Sequence, residues 1–394
     1  MHYQTFANGN TSAPSRTANR FNCISGSGDV GWISGEDDSE FILPIDGKFC
    51  RLQFAGDAVA GAGNTWAMMI RKNGADTLLT ASFTGDADKF ASNNTDYVSF
   101  SAGDRVCIQS VPTSSPNASA FLWSVMFLPD DKTKFVMFGS TGNVNIGADY
   151  YIPVNGPVGS GSNSEFLSSV LIPTGITVTD MTAKNDTAPG VGNSRIFTLR
   201  KNGVAEALVV TNTGTSTINS STDSIPFAEN DTLSVQSSRA GTPVGSKAKI
   251  SIAYVPDKKG EFILSGSTQS DLALSTTLRF LQAFQAGGAL VSSTTISLGG
   301  GISMPTVLYN PHTRMSVAPG VGNSRKMKWF AFGGSIVPSF EVSTSDTATD
   351  GTPLSTSAYW SIGDQFNFTL LEHTFVGTPA ATKVIWACIG KSLI

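Results

Sequence analysis

Ala188-Pro189-Gly190-Val191-Gly192-Asn193-Ser194-Arg195 recurs letter for letter as Ala318-Pro319-Gly320-Val321-Gly322-Asn323-Ser324-Arg325. A weaker copy, Ala60-Gly61-Ala62-Gly63-Asn64-Thr65-Trp66, lies upstream by nearly the same interval. Outward from these stretches the similarity continues. Arg71-Lys72-Asn73-Gly74 follows the weak copy and Arg200-Lys201-Asn202-Gly203 the first exact one, whereas the last is followed by Phe330-Ala331-Phe332-Gly333. Phe100-Ser101-Ala102-Gly103-Asp104 matches Phe227-Ala228-Glu229-Asn230-Asp231 and Trp360-Ser361-Ile362-Gly363-Asp364. Ser115-Pro116, Thr242-Pro243 and Thr378-Pro379 come next, each followed by an apolar run. The opening segments beginning at Tyr3, Phe135 and Phe262 also correspond.

A period of about 130 residues is too long for a solenoid repeat and is the size of a domain. The sequence therefore predicts three modules, 1–130, 131–257 and 258–394, meeting near Pro129-Asp130 and Pro256-Asp257. Joints this short predict that neighbouring modules pack together.

Within the second module, Ser194 to Arg200 alternates, with Phe197 and Leu199 on one face and Ile196, Thr198 and Arg200 on the other. That period of two marks a strand with one buried face. Asn202-Gly203 then suits a type I′ hairpin turn, and Ala205 to Thr211 is the returning strand. Gly103 and Asn230 suit a positive φ ahead of the next strand, with Asp104 and Asp231 bonding the turn backbone. About eight short strands joined by polar turns make an all-β fold, a β-sandwich or jelly roll in each module. The one helix-like stretch, Ser275 to Ala286, is read as strand by register with the second module.

Composition agrees with that class. Helix-favouring Glu, Lys and Arg are scarce, only 14% of residues are charged, and Thr, Val, Phe and Ser are common. The net charge of −4 gives no basic excess, so direct nucleic-acid binding through phosphate contacts is not expected. No apolar run of about 18 residues exists, and the first residues lack the basic and apolar regions of a signal peptide. No membrane partner is expected. The 24 Phe residues and recurring aliphatics argue against disorder. Cys23, Cys50, Cys107 and Cys388 show no C-x-x-C spacing and are read as free thiols.

The motifs of common chemistries are sparse. His2, His312 and His373 lack metal-ligand spacing, and neither a nucleophile elbow nor a Walker loop occurs. Gly26-Ser27-Gly28-Asp29-Val30-Gly31 matches a dinucleotide fingerprint in letters, but the sequence after it does not start a helix. No cofactor and no catalytic residue are assigned. Glu36, Asp37, Asp38 and Glu40 form an acidic cluster, read either as a calcium loop or as a solvated one. Arg71, Lys72, Arg200 and Lys201 precede hairpin turns; they suit contact with an acidic partner or, alternatively, strand ends whose charges blunt a sheet edge. The glycine loops with Asn193 and Asn323 suit lateral contacts between modules, or plain positive-φ loops. Trp32, Tyr150 and Tyr151 are the loop aromatics that would serve a receptor or glycan contact. Asn-x-Ser/Thr sites such as Asn93 and Asn117 are expected by chance at this composition.

The succession of glycine-rich loop, Leu199-Arg200-Lys201-Asn202-Gly203, Gly-Asp step, Thr-Pro loop and final apolar strand resembles modules of bacteriophage and other viral structural proteins. More loosely it is similar to the jelly rolls of the complement-C1q and tumour-necrosis-factor type. The resemblance implies a virion component assembled in the host cytoplasm: a minor capsid, decoration, spike or tail protein. Its partners would be other capsid or tail proteins, or a host surface glycan or receptor. It also implies a trimeric arrangement, as a homotrimer or as a pseudo-trimer within one chain. The departure of the third copy at Phe330 puts any role of the Arg-Lys-Asn hairpin in doubt there. A glycan-cleaving enzyme is a third class, requiring two carboxylates across a cleft.

Overall fold

The computed structural model describes residues 2–10, 12–25, 31–144, 149–158, 162–268, 271–272, 279–282, 300–302, 306–332, 340–353, 357–360 and 367–392. The chain is all-β: among these residues the helical structure is a single 3₁₀ turn, Phe166–Ser168. No helix there is long and apolar enough to cross a membrane.

Among the described residues six sheets draw their strands from three consecutive stretches of chain. In the first stretch one sheet runs Gln4–Asn10, Phe121–Pro129, Gly47–Gly56, Phe90–Phe100. The other runs Arg20–Asn22, Arg105–Thr113, Gly61–Lys72, Ala75–Gly85, with Phe41–Ile42 also on Arg105–Thr113. The second stretch repeats this order. Phe135–Val144, Ser246–Pro256, Ile176–Asn185 and Ile218–Phe227 form one sheet, and Tyr150–Ile152, Thr232–Ala240, Gly190–Lys201 and Val204–Gly214 the other. The third has Glu261–Ser267, Val384–Ser392, Thr306–Met315 and Ser357–Trp360, and, in the other sheet, Arg279–Gln282, Asn367–Val376, Gly320–Phe332 and Phe340–Asp346.

Alternation decides which side of each strand is buried. Phe197 and Leu199 are fully buried while Ile196, Thr198 and Arg200 are half-buried, as their period of two requires. Met68 and Ile70 fill the same places in the first stretch. The cores run across stretch boundaries. Val136, Phe138 and Ala253 pack into the core of the first stretch, and Phe41 stacks on Phe138 at 5.0 Å. Such an aromatic pair adds about 1 kcal/mol beyond the area it buries.

Two differences from the sequence reading have local causes. Among the described residues the second stretch holds ten strands, because Tyr150–Ile152 and Gly156–Val158 are short additions too brief to show a period. The glycine-rich segments are bulged strand starts: Gly190 pairs with Gly214 and Ser194 with the adjacent Thr213, so three residues are extra. The same shift separates Gly61 from Thr65 and Gly320 from Ser324. Gly190 and Gly192 sit at φ +94° and +78°, where a Cβ would be strained. Of the helix-like stretch only Arg279–Gln282 is described, and it is a strand, as the register reading has it; the rest lies outside the described residues.

Candidate functional site

The Arg-Lys-Asn-Gly hairpins and the Gly-Asp or Asn-Asp steps, some thirty residues apart in sequence, form one structure. In the second stretch Asn202 and Gly203 take positive φ, +52° and +80°, making the two-residue turn. The Asn202 amide donates to Asp231 at 2.6 Å, and its carbonyl oxygen accepts the Thr232 N–H at 2.8 Å. Asp231 in turn accepts the Ala228 N–H at 2.7 Å and pairs with Lys201 at 3.2 Å. Lys201 also donates to the Pro226 carbonyl and lies over the Phe227 ring. The first stretch builds the same clasp from Lys72, Asn73, Phe100 and Asp104. Asn73 donates to Asp104 at 2.7 Å, Lys72 pairs with Asp104 at 2.9 Å, and Lys72 lies over Phe100. Burial alone would raise the Asp104 and Asp231 carboxyls, but the bonds from Asn, backbone and Lys outweigh it and hold both below the usual range.

The arginines are buttressed from another direction. Arg71 grips Glu36 with two bonds of 2.9 Å, donates to the Gly74 carbonyl and also meets Asp76. Arg200 grips Glu165 at 2.8 and 3.2 Å, Gln236 at 2.8 Å and the Gly203 carbonyl. Each stacks on an aromatic ring, Phe21 and Tyr151 respectively. The hydrogen bond to the glutamate raises both guanidinium pKa values further, so they stay charged. Both strands are interior to their sheets, so these four cations do not blunt an edge. The corresponding hairpin of the third stretch, 333–339, lies outside the described residues.

Asn193 and Asn323 tie the glycine bulges to the Thr-Pro loops: their side-chain oxygens accept the N–H of Thr242 at 2.7 Å and of Thr378 at 2.8 Å. The neighbouring Val191 and Val321 stand exposed. Trp32 is half-buried, 5.3 Å from Trp123 and edge-on to Phe121. Tyr150 packs against the core and Tyr151 lies beneath Arg200, so none of the three aromatics projects freely.

The acidic segment is neither solvated as a whole nor a group of free carboxylates. Glu36 belongs to Arg71. Glu40, with a side chain only 1% exposed, pairs with Arg105 at 2.9 Å and reaches Lys184 of the second stretch at 3.8 Å. Asp38 pairs with Lys247 at 2.7 Å, and Lys249 donates to the Asp37 carbonyl while lying 3.5 Å from Asp186. Burial raises the Glu40 carboxyl and lowers the Lys184 ammonium. These bases occupy the places a cation would take, and no cluster of metal-ligand type occurs among the described residues. The segment 26–30 of the glycine pattern lies outside the described residues.

Two open grooves lie where stretches meet. One, about 380 Å³, is lined by Leu43, Pro44 and Gly103 on one side and by Asp180, Thr182 and the 218–222 strand on the other. The second, about 290 Å³, has Glu229 and Lys258 facing Tyr309, Asn310 and Pro311. Sequence reasoning did not anticipate either, because their walls come from segments about 50 to 180 residues apart.

No family model matches the chain, and no curated protein matches it. Among solved structures, a chain from the atomic structure of Sulfolobus turreted icosahedral virus aligns with 9% identity over 99% of this chain and 90% of that one, at a TM-score of 0.22. A likeness at that level is no basis for a family or a function.

Proposed function

We propose that this chain is a non-enzymatic structural protein of a virus particle, a decoration, cement or minor capsid component built of three jelly-roll modules, 1–130, 131–257 and 258–394. Its partners are then other capsid or tail proteins. The observation that carries this reading is the fate of the repeated charged residues. Arg71, Lys72, Arg200 and Lys201 are each held by carboxylates and carbonyls of their own stretch, in the same clasp built twice. Polar side chains spent on bracing hairpins suit a rigid building block. The sequence resemblance to viral structural modules supplies the particle. Density-gradient fractionation of the source material, with mass spectrometry for this chain, tests it. Co-migration with nucleic-acid-containing particles at a fixed ratio to a major capsid protein is expected; a chain found only in the soluble fraction overturns the reading.

The grooves favour a second reading, a knob that binds a receptor or glycan. Hydroxyl, amide and carboxylate groups of Thr182, Asn219, Ser220, Ser221 and Asp180 line the larger groove beside Leu43 and Ile218. A volume of that order admits a small ligand. Binding to an oligosaccharide array that is abolished by Ser221→Trp would support it, and a blank array would remove it.

A further inference from the structure

We propose that the three modules close head to tail into a ring, so that one chain is a complete pseudo-trimer and leaves no inter-module face free for a second copy. This rests on the three-module division above and adds how the modules are joined.

The first observation is a contact made three times. Phe41–Ile42, Val170–Leu171 and Gly300–Ile302 each pair with the penultimate strand of their own stretch. Each also packs against the final strand of another stretch. Phe41–Ile42 meets Ser246–Pro256, Val170–Leu171 meets Val384–Ser392, and Gly300–Ile302 meets Phe121–Pro129. The order is first on second, second on third, third on first. An interface that joins unlike faces gives a ring when its rotation closes and an open string when it does not. Here the third contact returns to the start.

The second observation is that the first two seams use matching positions. Asp180, Thr182 and Lys184 occupy one strand, and Asn310, His312 and Arg314 occupy the same places in the strand 130 residues later. Asp180 and Thr182 face Pro44 and Gly103, and Lys184 faces Glu40. Asn310 donates to the Pro173 carbonyl at 2.7 Å, His312 bonds Asn230 at 2.8 Å, and Arg314 donates to the Asn230 carbonyl. Pro173 and Asn230 are the counterparts of Pro44 and Gly103 in the repeat.

The third observation is an axis. Gln4, Thr5 and Phe6, Val136, Met137 and Phe138, and Ile263, Leu264 and Ser265 are the same three positions of the three opening strands. All nine line one small void of about 40 Å³. Only a cyclic arrangement brings equivalent positions of three copies to one point. The seams nevertheless differ chemically, acid against lysine in one and asparagine against histidine and arginine in the other. A second chain would therefore meet mismatched faces.

Light scattering and small-angle X-ray scattering on the full chain test this together. The expected mass is that of one chain, 41.3 kDa. The expected radius of gyration is about 21 Å, the value for a compact body of this length, whereas three modules in line would exceed about 30 Å. A mass of three chains, or the larger radius, overturns the ring. A compact single chain that never sediments with particles would leave the ring standing and remove only the virion reading. An extended chain found on particles would do the reverse.

Discussion

Trp66 and Arg195 occupy equivalent positions in successive stretches and make the same bond with different chemistry. Trp66 Nε1 donates to the Asn117 carbonyl at 2.9 Å, and Arg195 Nη2 donates to the Val244 carbonyl at 3.1 Å. Arg325 repeats the contact on the Ala380 carbonyl at 2.7 Å. All three side chains are buried, and each pins the loop after a Ser-Pro or Thr-Pro step to the start of a central strand.

Removing the donor while keeping the bulk isolates that bond. Trp66→Phe is expected to lower stability by about 1 kcal/mol, and Arg325→Leu by about 2–3 kcal/mol because buried acceptors lose a charged partner. Denaturant midpoints at unchanged slope measure both; a Trp66→Phe protein as stable as the parent would show that the pin contributes nothing.

Arg325 also faces His373, 3.1 Å away, in a buried pair. Burial, and then the Arg325 charge, push the His373 imidazole down from its ordinary value of 6.5 to about 4. The sign follows from linkage: the unfolded chain takes up a proton near pH 6.5 that the folded chain refuses. Stability is therefore fully present above pH 6.5 and is lost as pH falls toward 4, by on the order of 3 kcal/mol. His373→Gln should flatten that part of the stability curve; an unchanged curve would assign the acid sensitivity elsewhere.

The hairpin clasp separates into turn geometry and hydrogen bonds. Asn202→Gly keeps the positive φ but loses the side-chain bonds to Asp231 and Thr232, for an expected cost of about 1 kcal/mol. Asn202→Ala also strains the turn and should cost about 1 kcal/mol more. If the two variants prove equally stable, the backbone conformation is not what selects asparagine there.

The four cysteines are all free and buried. Burial raises the thiol pKa of Cys23 to about 12 and of Cys50 to about 11, and raises those of Cys107 and Cys388 as well. Thiolate is the reactive form. Titration with a thiol reagent at pH 8 should find no reactive group in the folded protein and four after denaturation. Fast labelling of the native chain would contradict this burial.

The strands were legible because their side chains alternate, and Asn-Gly turns because few residues tolerate two positive φ values in succession. The clasp was not. Its parts were visible as separate anchors, but nothing local says that Asn202 bonds Asp231 or that Arg71 finds Glu36 across 35 residues. For the same reason Glu36 and Glu40 read as one acidic cluster, although the fold gives them different partners. The match of Trp66 to Arg195 is invisible in the letters, which do not reveal that an indole and a guanidinium can supply the same N–H.

The contact of Gly300–Ile302 with the first strand, Gln4–Asn10, has a consequence in time. A ribosome adding roughly 5–20 residues per second needs roughly 15–60 s between making the two. For that interval the first strand lacks this one contact, although Val136 and Phe138 already meet Gln4 and Phe6. The last seam of the fold therefore closes only after most of the chain has been made, whereas the packing of Phe138 on Phe6 needs less than half of it.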